Sequence, residues 1–401
     1  MTSEWHEVPL RELVGYISKG IAPSYAEEAS ESTIRVLNQK CNRNFRISYG
    51  DSRLHDTRKK KVPPERYVKP DDILINSTGA GTAGRIAQIE DVPSATTIDG
   101  HMILIRSNGK VTQKFLGYAL KAHQWEVLQL DEGSTGQTEL NRDRLLDEIM
   151  INYPVSLDEQ NAIVGTLESI DRKLIVNEQL NDNLEQQAQS YFQELFVDNA
   201  SPEWTTGTIS DLGTVVGGST PSKAKPEYYT ESGIAWITPK DLSINKSKFV
   251  SHGENDITEL GLRNSSAAIM PEGTVLFSSR APIGYIAIAA GEVTTNQGFK
   301  SVVPKPEIGT PFVYFFLKNT LPVIEGMASG STFKEVSGST MKNVSAVIPD
   351  AETLAKFSDF CAPIFAQQRI LEEQNQSLAT LRDNLLPKLM SGEIDVSAVQ
   401  L

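Results

Sequence analysis

Residues 163–195 have the sequence IVGTLESIDRKLIVNEQLNDNLEQQAQSYFQEL. One stripe of positions recurs in alternating steps of four and three residues through this whole stretch. Its members are Ile163, Leu167, Ile170, Leu174, Asn177, Asn181, Leu184, Ala188, Tyr191 and Leu195. A repeat of about 3.5 residues that is sustained over several heptads is typical of a coiled-coil seam. The stretch therefore predicts one long helix that pairs with a second helix along a single face.

A second stretch, residues 357–389, has the same periodicity. Its stripe consists of Phe357, Cys361, Ile364, Gln368, Leu371, Asn375, Leu378, Arg382, Leu385 and Leu389. The intervening chain permits either direction of pairing, and we expect an antiparallel pair about 33 residues or roughly 48 Å long. With the seams aligned end to end, Ile163 lies opposite Leu389 and Asn177 lies opposite Asn375. A pair of asparagines in an apolar seam specifies the register at some cost in stability.

The rest of the chain also repeats. Short matches recur in the same order, at offsets that fall from about 200 to 194 residues, as small loop deletions would produce. The matched pairs are Glu4-Trp5 with Glu203-Trp204, residues 84–87 with 284–287, Thr96-Thr97 with Thr294-Thr295, and Gly133-Ser134-Thr135 with Gly330-Ser331-Thr332. An ordered series of this kind indicates two diverged copies of one unit.

Each copy begins with about 150 residues of short β-rich runs separated by Gly, Pro, Asn and Ser. The runs are 73–75, 85–89, 102–105, 275–277, 285–289 and 301–303, with short helices predicted at 114–122 and 311–318. We therefore predict an α+β fold with a pseudo-two-fold internal repeat. Its predicted parts are a first domain at 1–155, a first long helix at 156–200, a second domain at 201–350, and a second long helix with a tail at 351–401.

The composition is typical of folded globular domains. Apolar residues make up 39% and charged residues 22% of the 401 residues. The N-terminal sequence MTSEWHEVPL lacks a basic start followed by an apolar core, so no secretory signal is predicted. No apolar stretch approaches the roughly 20 residues of a membrane-spanning helix. The two cysteines, Cys41 and Cys361, cannot form a disulfide framework. We expect a cytoplasmic protein with no membrane partner.

No catalytic or cofactor motif is convincing in this sequence. Residues 79–84 match G-x-G-x-x-G, but the alternating residues 85–89 predict a strand where a dinucleotide site needs a helix. We interpret the motif as a turn. There is no P-loop, and five scattered histidines offer no zinc spacing. Residues 171–173 have the D-x-K ending of some nucleases, yet they lie on the heptad helix, so we predict a solvated helix face. The chain is predicted to hold no metal and no cofactor.

Charge is distributed unevenly along the chain. The net charge of −13 argues against coating nucleic acid by charge alone. Residues 35–69, however, contain 11 basic and three acidic side chains, whereas residues 158–198 contain nine acidic and two basic ones. A basic globular face can bind phosphates, and an acidic helix can bind protein partners. A basic loop that is merely solvated remains the alternative.

Six stretches resemble the specificity (S) subunits of type I restriction–modification systems. They are WITPKDL at 236–242, SRAPIG at 279–284, NQGFK at 296–300, LLPKLMSGEI at 385–394, DILINSTG at 72–79 and LDEQ at 157–160. The resemblance covers nearly the whole chain. It implies two tandem α+β target-recognition domains separated by two long helices that form an antiparallel coiled coil.

The resemblance also implies a function. Each domain would recognise one half of a bipartite, asymmetric site in double-stranded DNA, and the helices would set the spacing between the halves. The helices would also dock two copies of a modification (methyltransferase) subunit, which binds S-adenosylmethionine, and restriction (translocase/nuclease) subunits could join. The chain itself would be a non-catalytic recognition subunit.

The opening of the first domain departs from the family pattern. Residues 217–222 have the expected GGSTPS, whereas residues 19–24 have KGIAPS, so the two halves are predicted to recognise different sequences. Candidate DNA contacts are side chains of the types that bind phosphates or base edges. For the bases and phosphates of the first half they are Asn38, Gln39, Lys40, Arg43, Asn44, Arg46, Arg58, Lys59, Lys60 and Lys61. For the second half they are Lys223, Lys225, Lys240, Arg280, Asn296 and Lys334.

Two alternatives to a DNA-recognition subunit can be tested. A DNA-free scaffold would use the paired helices to assemble protein partners. A self-sufficient methyltransferase is rejected unless the purified chain transfers methyl groups by itself. A gel-shift measurement at stated salt, with and without a modification subunit, separates a scaffold from a DNA-recognition protein.

Overall fold

The computed structural model describes residues 4–132, 139–330 and 334–396. The predicted repeat of Gly133-Ser134-Thr135 with Gly330-Ser331-Thr332 lies, apart from Gly330, outside the described residues. The chain forms two compact units, Met1–Lys173 with Leu378–Leu401 (unit 1) and Leu174–Ser377 (unit 2). Each unit therefore contains one globular lobe and a segment of each long helix. The domain limits at 155, 200 and 350 stay a prediction.

The lobe of unit 1 contains short strands and short helices. Its strands are β1 Trp5–Pro9, β2 Val14–Lys19, β3 Tyr25–Ala26, β4 Thr33–Leu37, β5 Asn42–Arg43, β6 Arg46–Ile47, β7 Arg53–Asp56, β8 Ile73–Asn76, β9 Ile86–Gln88, β10 Thr96–Ile98, β11 Met102–Ser107, β12 Asp131–Glu132, β13 Glu139–Leu140 and β14 Met150–Pro154. Its helices are α1 Gln113–Ala122, α2 Gln124–Leu128 and α3 Arg142–Glu148, followed by the long helix α4 Leu157–Gln193. The two four-stranded sheets have the orders β2-β11-β8-β9 and β10-β4-β7-β3, and β1 pairs with β14.

The lobe of unit 2 is built in the same way. Its strands are β15 Thr205–Thr208, β16 Gly213–Gly217, β17 Tyr229–Thr230, β18 Ile234–Ile237, β19 Phe249–Val250, β20 Asn255–Ile257, β21 Val275–Ser279, β22 Ile283–Ala289, β23 Thr294–Thr295, β24 Lys300–Pro304 and β25 Ser345–Ile348. Its helices are α5 Ile209–Leu212, α6 Pro239–Ile244, α7 Glu259–Arg263, α8 Thr310–Gly326 and α9 Gly338–Lys342, followed by the long helix α10 Ala351–Met390.

The strand orders of the two lobes correspond. The sheet β16-β24-β21-β22-β19 repeats β2-β11-β8-β9 with one strand added at its edge, the sheet β23-β18-β20-β17 repeats β10-β4-β7-β3, and β15 pairs with β25 as β1 pairs with β14. The second sheet of each lobe contains an equivalent parallel pair, β4 with β10 and β18 with β23. The repeat predicted from short sequence matches is therefore a repeat of topology.

Strand register corrects one of those matches. Ile98 lies opposite Leu37, and Thr295 lies opposite Ile237, at the ends of the equivalent parallel pairs. The predicted match of the two Thr-Thr pairs is therefore wrong by one residue. The reason is that backbone hydrogen bonds, not identical side chains, define which residues are equivalent in two sheets.

Within unit 2, the long helices α4 and α10 pair antiparallel. The side-chain amide of Asn177 donates to Oδ1 of Asn375 at 2.9 Å, and the ring of Tyr191 lies 4.5 Å from that of Phe360. Residue numbers thus rise along α4 as they fall along α10, which confirms the antiparallel direction. Asn177 and Asn375 are the two asparagines that the aligned seams place opposite each other.

The seam residues pack as the heptad pattern indicates, each within its own unit. Eight of the predicted ones are buried and four are half-buried. The buried residues are Ile163, Leu167, Ile170, Leu174, Asn177, Ile364, Leu371 and Leu389, and the half-buried ones are Leu184, Asn375, Leu378 and Leu385. In unit 1 the seam also joins the core of the lobe, because Ile163 and Leu167 belong to the same apolar cluster as Phe115 of α1.

Arg172 and Lys173 are exposed as predicted, but Asp171 contradicts the prediction of a solvated face at residues 171–173. Its carboxylate accepts hydrogen bonds from the hydroxyl of Tyr118 at 2.9 Å, from Lys121 at 3.0 Å and from Arg382 at 3.1 Å, all within unit 1. Burial acts to raise the pKa of Asp171, but these donors and cations leave it below its usual value. Helical periodicity alone could not show that α1 packs against this turn of α4.

Glu185 makes a similar cluster in unit 2. It accepts hydrogen bonds from Lys318 at 2.5 Å and from the hydroxyl of Tyr314 at 3.2 Å, and it forms an ion pair with Lys248. Lys248 is almost fully buried, and burial lowers its pKa. In each unit, therefore, one carboxylate of α4 binds basic side chains of the lobe.

Candidate nucleic-acid interface

Hydrogen bonds bring the motif stretches of unit 2 together. The backbone amide of Ser219 donates to the carbonyl oxygen of Thr295 at 2.9 Å, and the indole of Trp236 donates to that of Ser219 at 3.0 Å. The amide of Ser279 donates to the carbonyl oxygen of Gly298 at 2.7 Å. The GGSTPS, WITPKDL, SRAPIG and NQGFK stretches thus meet on one surface. We call this surface, residues 217–222, 238–241, 278–284, 295–300 and 335, the motif face of unit 2.

Unit 1 has an equivalent motif face, formed by residues 19–24, 38–41, 76–84, 98–102 and 139. Its close contacts match those of unit 2. A Cβ atom on Gly218 would lie 1.9 Å from the carbonyl oxygen of Asn296, and one on Gly20 would lie 2.1 Å from that of Asp99. The second residue of GGSTPS and of KGIAPS must therefore be glycine, although the two stretches differ in most other positions.

Helix caps position Asn38 and Lys240 on the two faces. Thr238 and Asp241 form a capping box at the start of α6, with Pro239 at its first position, which is what TPKD specifies. Lys240 then lies exposed in the first turn and forms an ion pair with Glu254 at 2.6 Å. In unit 1, Asn38 corresponds to Thr238. It caps a single 3₁₀ turn, Gln39–Cys41, and its side chain accepts a hydrogen bond from the amide of Lys40. Asn38 is thus engaged in a cap, whereas Lys40 is exposed.

Arg280 lies beside a second cation on the motif face of unit 2. Its guanidinium is 3.5 Å from the carboxylate of Glu335, and Lys300 is 3.6 Å from the same carboxylate. Asn296 shapes the adjacent turn, because its Oδ1 accepts a hydrogen bond from the amide of Gly298 at 2.8 Å. Three of these side chains therefore form one ionic group in the protein itself.

The other candidates of the second half are lysines on loops. Lys223, Lys225 and Lys334 are all exposed. Lys225 lies 3.7 Å from the carboxylate of Glu227, which reduces the charge that it presents. Lys223 and Lys225 lie on the loop after β16, whereas Lys334 directly precedes Glu335, the partner of Arg280.

The base-contact candidates of the first half lie mainly on the hairpin β5–β6. Arg43 pairs with Arg46 across the hairpin, and the turn between them has positive φ at Asn44 (52°) and Phe45 (61°). Arg43 and Asn44 are exposed, and Arg46 is half-buried. Gln39 lies beside them, and its Oε1 is buried without a hydrogen-bond partner among the described residues.

The phosphate candidates lie on the loop after β7. Lys60 donates to the carbonyl oxygen of Ala22 at 2.9 Å, which joins this loop to the KGIAPS stretch. Arg58 forms an ion pair with Asp56 at 3.3 Å, while Lys59 and Lys61 are exposed. The hydrogen bond of Lys60 brings this loop to the edge of the motif face. The phosphate contacts of Lys59 and Lys61 stay a prediction.

A pocket of about 530 Å³ lies beside the hairpin. It is lined by Asn42, Arg43, Asn44, Phe45, Arg85, Ile86, Gln124 and Leu128. The adjacent G-x-G-x-x-G stretch has positive φ at Gly79, Gly81 and Gly84 and leads directly into strand β9. The interpretation of this motif as a turn is confirmed.

Sequence reasoning missed several charged residues near these faces. Arg53 stacks on the ring of Tyr25 with its guanidinium carbon 3.3 Å from the ring centroid. Lys19 pairs with Glu139, and Lys300 pairs with Glu335. Each partner is more than 25 residues away in sequence, so no local spacing could have indicated these pairs.

The sequence model described as the type I restriction modification DNA specificity domain matches residues 2–186 and 202–381. One match falls on each copy of the repeat. The chain belongs to this family. Among the described residues of this specificity-domain chain, no group of three or more His, Cys, Asp or Glu could hold a metal ion. In the same part of the chain no helix is long and apolar enough to cross a membrane.

Two curated relatives show how far the similarity extends. The chain is 39% identical over 191 residues to the type I restriction enzyme MjaIX specificity subunit of Methanocaldococcus jannaschii, which covers 45% of this chain and 44% of that protein. It is 27% identical over 194 residues to the type I restriction enzyme HindI specificity subunit of Haemophilus influenzae, which covers 48% of this chain and 42% of that protein. The chain therefore spans less than half the length of these relatives.

A solved structure of a specificity subunit shares the fold. The S subunit of a type I restriction-modification system from M. genitalium superimposes with a TM-score of 0.60 at 16% identity, over 97% of this chain and 99% of that one. The predicted fold class, tandem α+β domains with two long antiparallel helices and an internal repeat, is confirmed.

Proposed function

We propose that this chain is the DNA sequence-specificity subunit of a type I restriction–modification complex and recognises DNA without catalysing a reaction. Each motif face would contact one half of a bipartite, asymmetric site in double-stranded DNA. The observation that carries the proposal is the duplicated motif face, in which the backbone contacts are the same and the exposed polar side chains differ. Such a pair of surfaces can hold two DNA segments in the same way and select different bases in each.

The distribution of cations supports this division of roles. Lys59 and Lys61 are exposed on the loop beside the first motif face, and phosphate contacts of this kind fix orientation without reading sequence. Arg43 is exposed at the end of β5 and Asn44 is exposed in the turn that follows, and these residue types bind guanine and adenine edges in the major groove. The first half of the site is therefore assigned to the hairpin, and the second half to the group around Arg280.

The long helices supply the proposed protein contacts. Val176 and Leu180 of α4 and Ile370 of α10 are exposed apolar residues in unit 2, although the rest of their outer faces is polar. We assign this surface to two modification subunits, which would bind S-adenosylmethionine and methylate the DNA, and restriction subunits could then join. The helices would also set the spacing between the two half-sites.

A domain exchange tests the proposal. Residues 205–345 are replaced by the corresponding segment of a relative, and the full-length protein is incubated with a random-sequence duplex library, with and without its modification subunit. We expect one half-site of the enriched sequence to change and the other to stay the same. A change in both halves, or in neither, would contradict modular recognition, and a chain that binds duplex DNA in neither condition would indicate a scaffold instead.

A methyl-transfer assay tests the absence of catalysis. The purified chain is incubated with S-adenosylmethionine and the enriched duplex, and no methyl group is expected to reach the DNA until the modification subunit is added. Transfer by the chain alone would contradict the proposed role.

A further inference from the structure

A glutamate occupies the same place in both lobes. Glu139 forms a bridge with Thr78, and the next amide, of Leu140, donates to the carbonyl oxygen of Ser77 at 2.8 Å. Glu335 forms a bridge with Arg280, and the following amide donates to the carbonyl oxygen of Ser279 at 3.0 Å. Both glutamates therefore pair with a residue just beyond the end of the same sheet strand, which is β8 in unit 1 and β21 in unit 2. Both lie on the motif face.

Each of these glutamates pairs with a lysine, but the two lysines come from different strands. Lys19 is the last residue of β2 and lies opposite Ile103. Lys300 is the first residue of β24 and lies opposite Gly217. The register makes Lys19 equivalent to Gly217 and Lys300 equivalent to Ile103. Because directly opposed residues of an antiparallel pair project from the same face, the two lysines project from the same face of the equivalent sheets, each from a different one of two neighbouring strands.

The Glu–Lys pair is thus present on both faces although its lysine comes from a different strand in each. The side chains of Lys19 and Glu139 are 43% and 56% exposed, and those of Lys300 and Glu335 are 15% and 38% exposed. An ion pair as exposed as that of unit 1 contributes little to folding. A role in stability therefore does not account for the same pair in both lobes, whereas a role of the motif face itself does.

We propose that Glu139 and Glu335 are specificity-determining residues, each selecting a base with an exocyclic amino group in its own half-site. This inference rests on the proposed function. Without DNA, the carboxylate holds the basic side chains of its face, Lys19 in unit 1 and both Arg280 and Lys300 in unit 2. On binding, phosphate oxygens take over these cations, and the freed carboxylate accepts a hydrogen bond from the amino group, as in a contact to cytosine N4.

The physical reason for discrimination is the fate of the freed carboxylate. Phosphate and carboxylate compete for the same lysine and arginine donors, since both are oxyanions. At an incorrect sequence the carboxylate faces phosphates and base acceptors without a donor, which disfavours binding. At the correct sequence the amino group restores the hydrogen bond. The glutamate therefore weakens binding to all DNA but weakens binding to the correct half-site least.

The test compares Glu335→Gln and Glu139→Gln with matched controls in the full-length protein. Glu259→Gln and Glu148→Gln also remove one exposed, ion-paired carboxylate, paired with Arg263 in α7 and with Arg144 in α3. The wild-type chain first selects its sequence from a random duplex library. Affinity is then measured for the selected duplex, for all single-base variants of it and for a fixed random duplex, at several salt concentrations.

We expect Glu335→Gln to bind the random duplex about threefold to tenfold more tightly and to lose about tenfold of its preference at an amino-bearing base in one half-site. Glu139→Gln should do the same in the other half-site, and both controls should keep the wild-type preference. Preferences that match those of the controls would overturn the inference while leaving the proposed function intact. A wild-type chain that selects no sequence, either alone or together with its modification subunit, would overturn the proposed function and this inference with it.

Discussion

The two lobes share a framework and differ in what they expose. Both have the same strand orders, and in both a glycine touches a carbonyl oxygen at the motif face, Gly20 in unit 1 and Gly218 in unit 2. The first lobe adds the hairpin β5–β6 with exposed Arg43, whereas the second has Arg280 held by Glu335. Backbone contacts therefore preserve the surface, and the side chains upon it are free to diverge.

The attachment of the lobes to α4 gives a second comparison. Asp171 and Glu185 each bind a tyrosine and basic side chains of their own unit. The two carboxylates do not occupy equivalent positions of the repeat. Both lie on α4, and the residue of α10 that is equivalent to Asp171 is Phe365. Carboxylates that bind basic side chains therefore lie at two non-equivalent turns of α4. The cations that they bind differ in burial, since the side chain of Lys248 is 6% exposed and that of Arg382 is 19% exposed.

The largest predicted effect separates these two clusters. Glu185→Gln leaves Lys248 buried without its charge partner and should lower the free energy of unfolding by about 3–5 kcal/mol. Asp171→Asn should cost less, because its cations Lys121 and Arg382 have side chains 10% and 19% exposed and are less deeply buried than Lys248 at 6%. Urea denaturation of both variants provides the measurement, with Asp182→Asn, exposed on the same helix, as the control that should change stability by less than about 0.5 kcal/mol. Equal losses of unfolding free energy in Asp171→Asn and Glu185→Gln would contradict the inference that the Glu185 cluster depends more strongly on its carboxylate.

Acidification should lower the free energy that both clusters contribute to folding. The loss should be large in acid and small near neutral pH. The folded pKa values of Asp171 and Glu185 lie below the ordinary values of 3.8 and 4.5. Their contribution is therefore complete above those ordinary values and is lost as the pH falls through the lowered ones. Glu372 acts in the opposite sense, since burial raises its pKa. The free energy of unfolding, measured from pH 6 to about pH 2, should fall less steeply in Glu185→Gln than in the wild type.

Glycine substitutions test whether the two motif faces are equivalent. Gly20→Ala and Gly218→Ala place a Cβ atom against a backbone carbonyl oxygen and should each cost about 1–3 kcal/mol. Gly291→Ala is the control, because a Cβ atom there meets no atom within 4 Å. Thermal unfolding of the three variants provides the comparison. A large loss at one motif-face glycine and none at the other would show that the faces are built differently.

The salt dependence of DNA binding tests whether an exposed lysine, Lys59, and an ion-paired lysine, Lys240, contribute differently to phosphate contacts. Lys59→Ala should lower the slope of log affinity against log salt by about 0.9, the value for one lost phosphate contact. Lys240→Ala should change the slope less, because Glu254 already pairs with this lysine at 2.6 Å. Gel shifts of a selected duplex at several salt concentrations measure both slopes. Equal changes would indicate that ion pairs within the protein do not reduce phosphate contacts.

The smallest change in stability is expected at the helix seam. Replacing Asn177 and Asn375 together by leucine removes a partly buried amide pair and leaves an apolar seam, so folding should persist with a change below about 1 kcal/mol. The register of α4 against α10 should become less unique. Disulfide trapping between engineered cysteines on the two helices measures this, and trapping at one register only, as in the wild type, would contradict the role of the asparagines.

Periodicity and repetition predicted most of the architecture, because they are properties of the chain that survive divergence. The seam from Ile163 to Leu195 is long enough for a 3.5-residue repeat to be unambiguous, and the pairing of Asn177 with Asn375 follows from it. Contacts between distant segments could not be predicted in this way. The helix pattern carries no information about where Tyr118 lies, so it cannot predict that Asp171 is hydrogen-bonded rather than solvated.

The candidate DNA contacts show the same limit. Residue type indicated Lys59 and Arg280 as cations, but a partner such as Glu335, which lies beside Arg280, comes from a segment far away in sequence. The WITPKDL, SRAPIG and NQGFK stretches specify caps and turns, and the structure brings them together on the motif face of unit 2. Which side chains on that surface are free depends on tertiary pairing.

The two cysteines have a practical consequence. Cys41 lies in unit 1 and Cys361 in unit 2, and both thiols are fully buried and free. Burial raises the pKa of Cys361 to about 12 and also raises that of Cys41, so neither reacts readily with alkylating reagents while its surroundings stay closed. Since each unit carries one such thiol, mass-spectrometric alkylation rates of the unmodified protein report the opening of each unit separately.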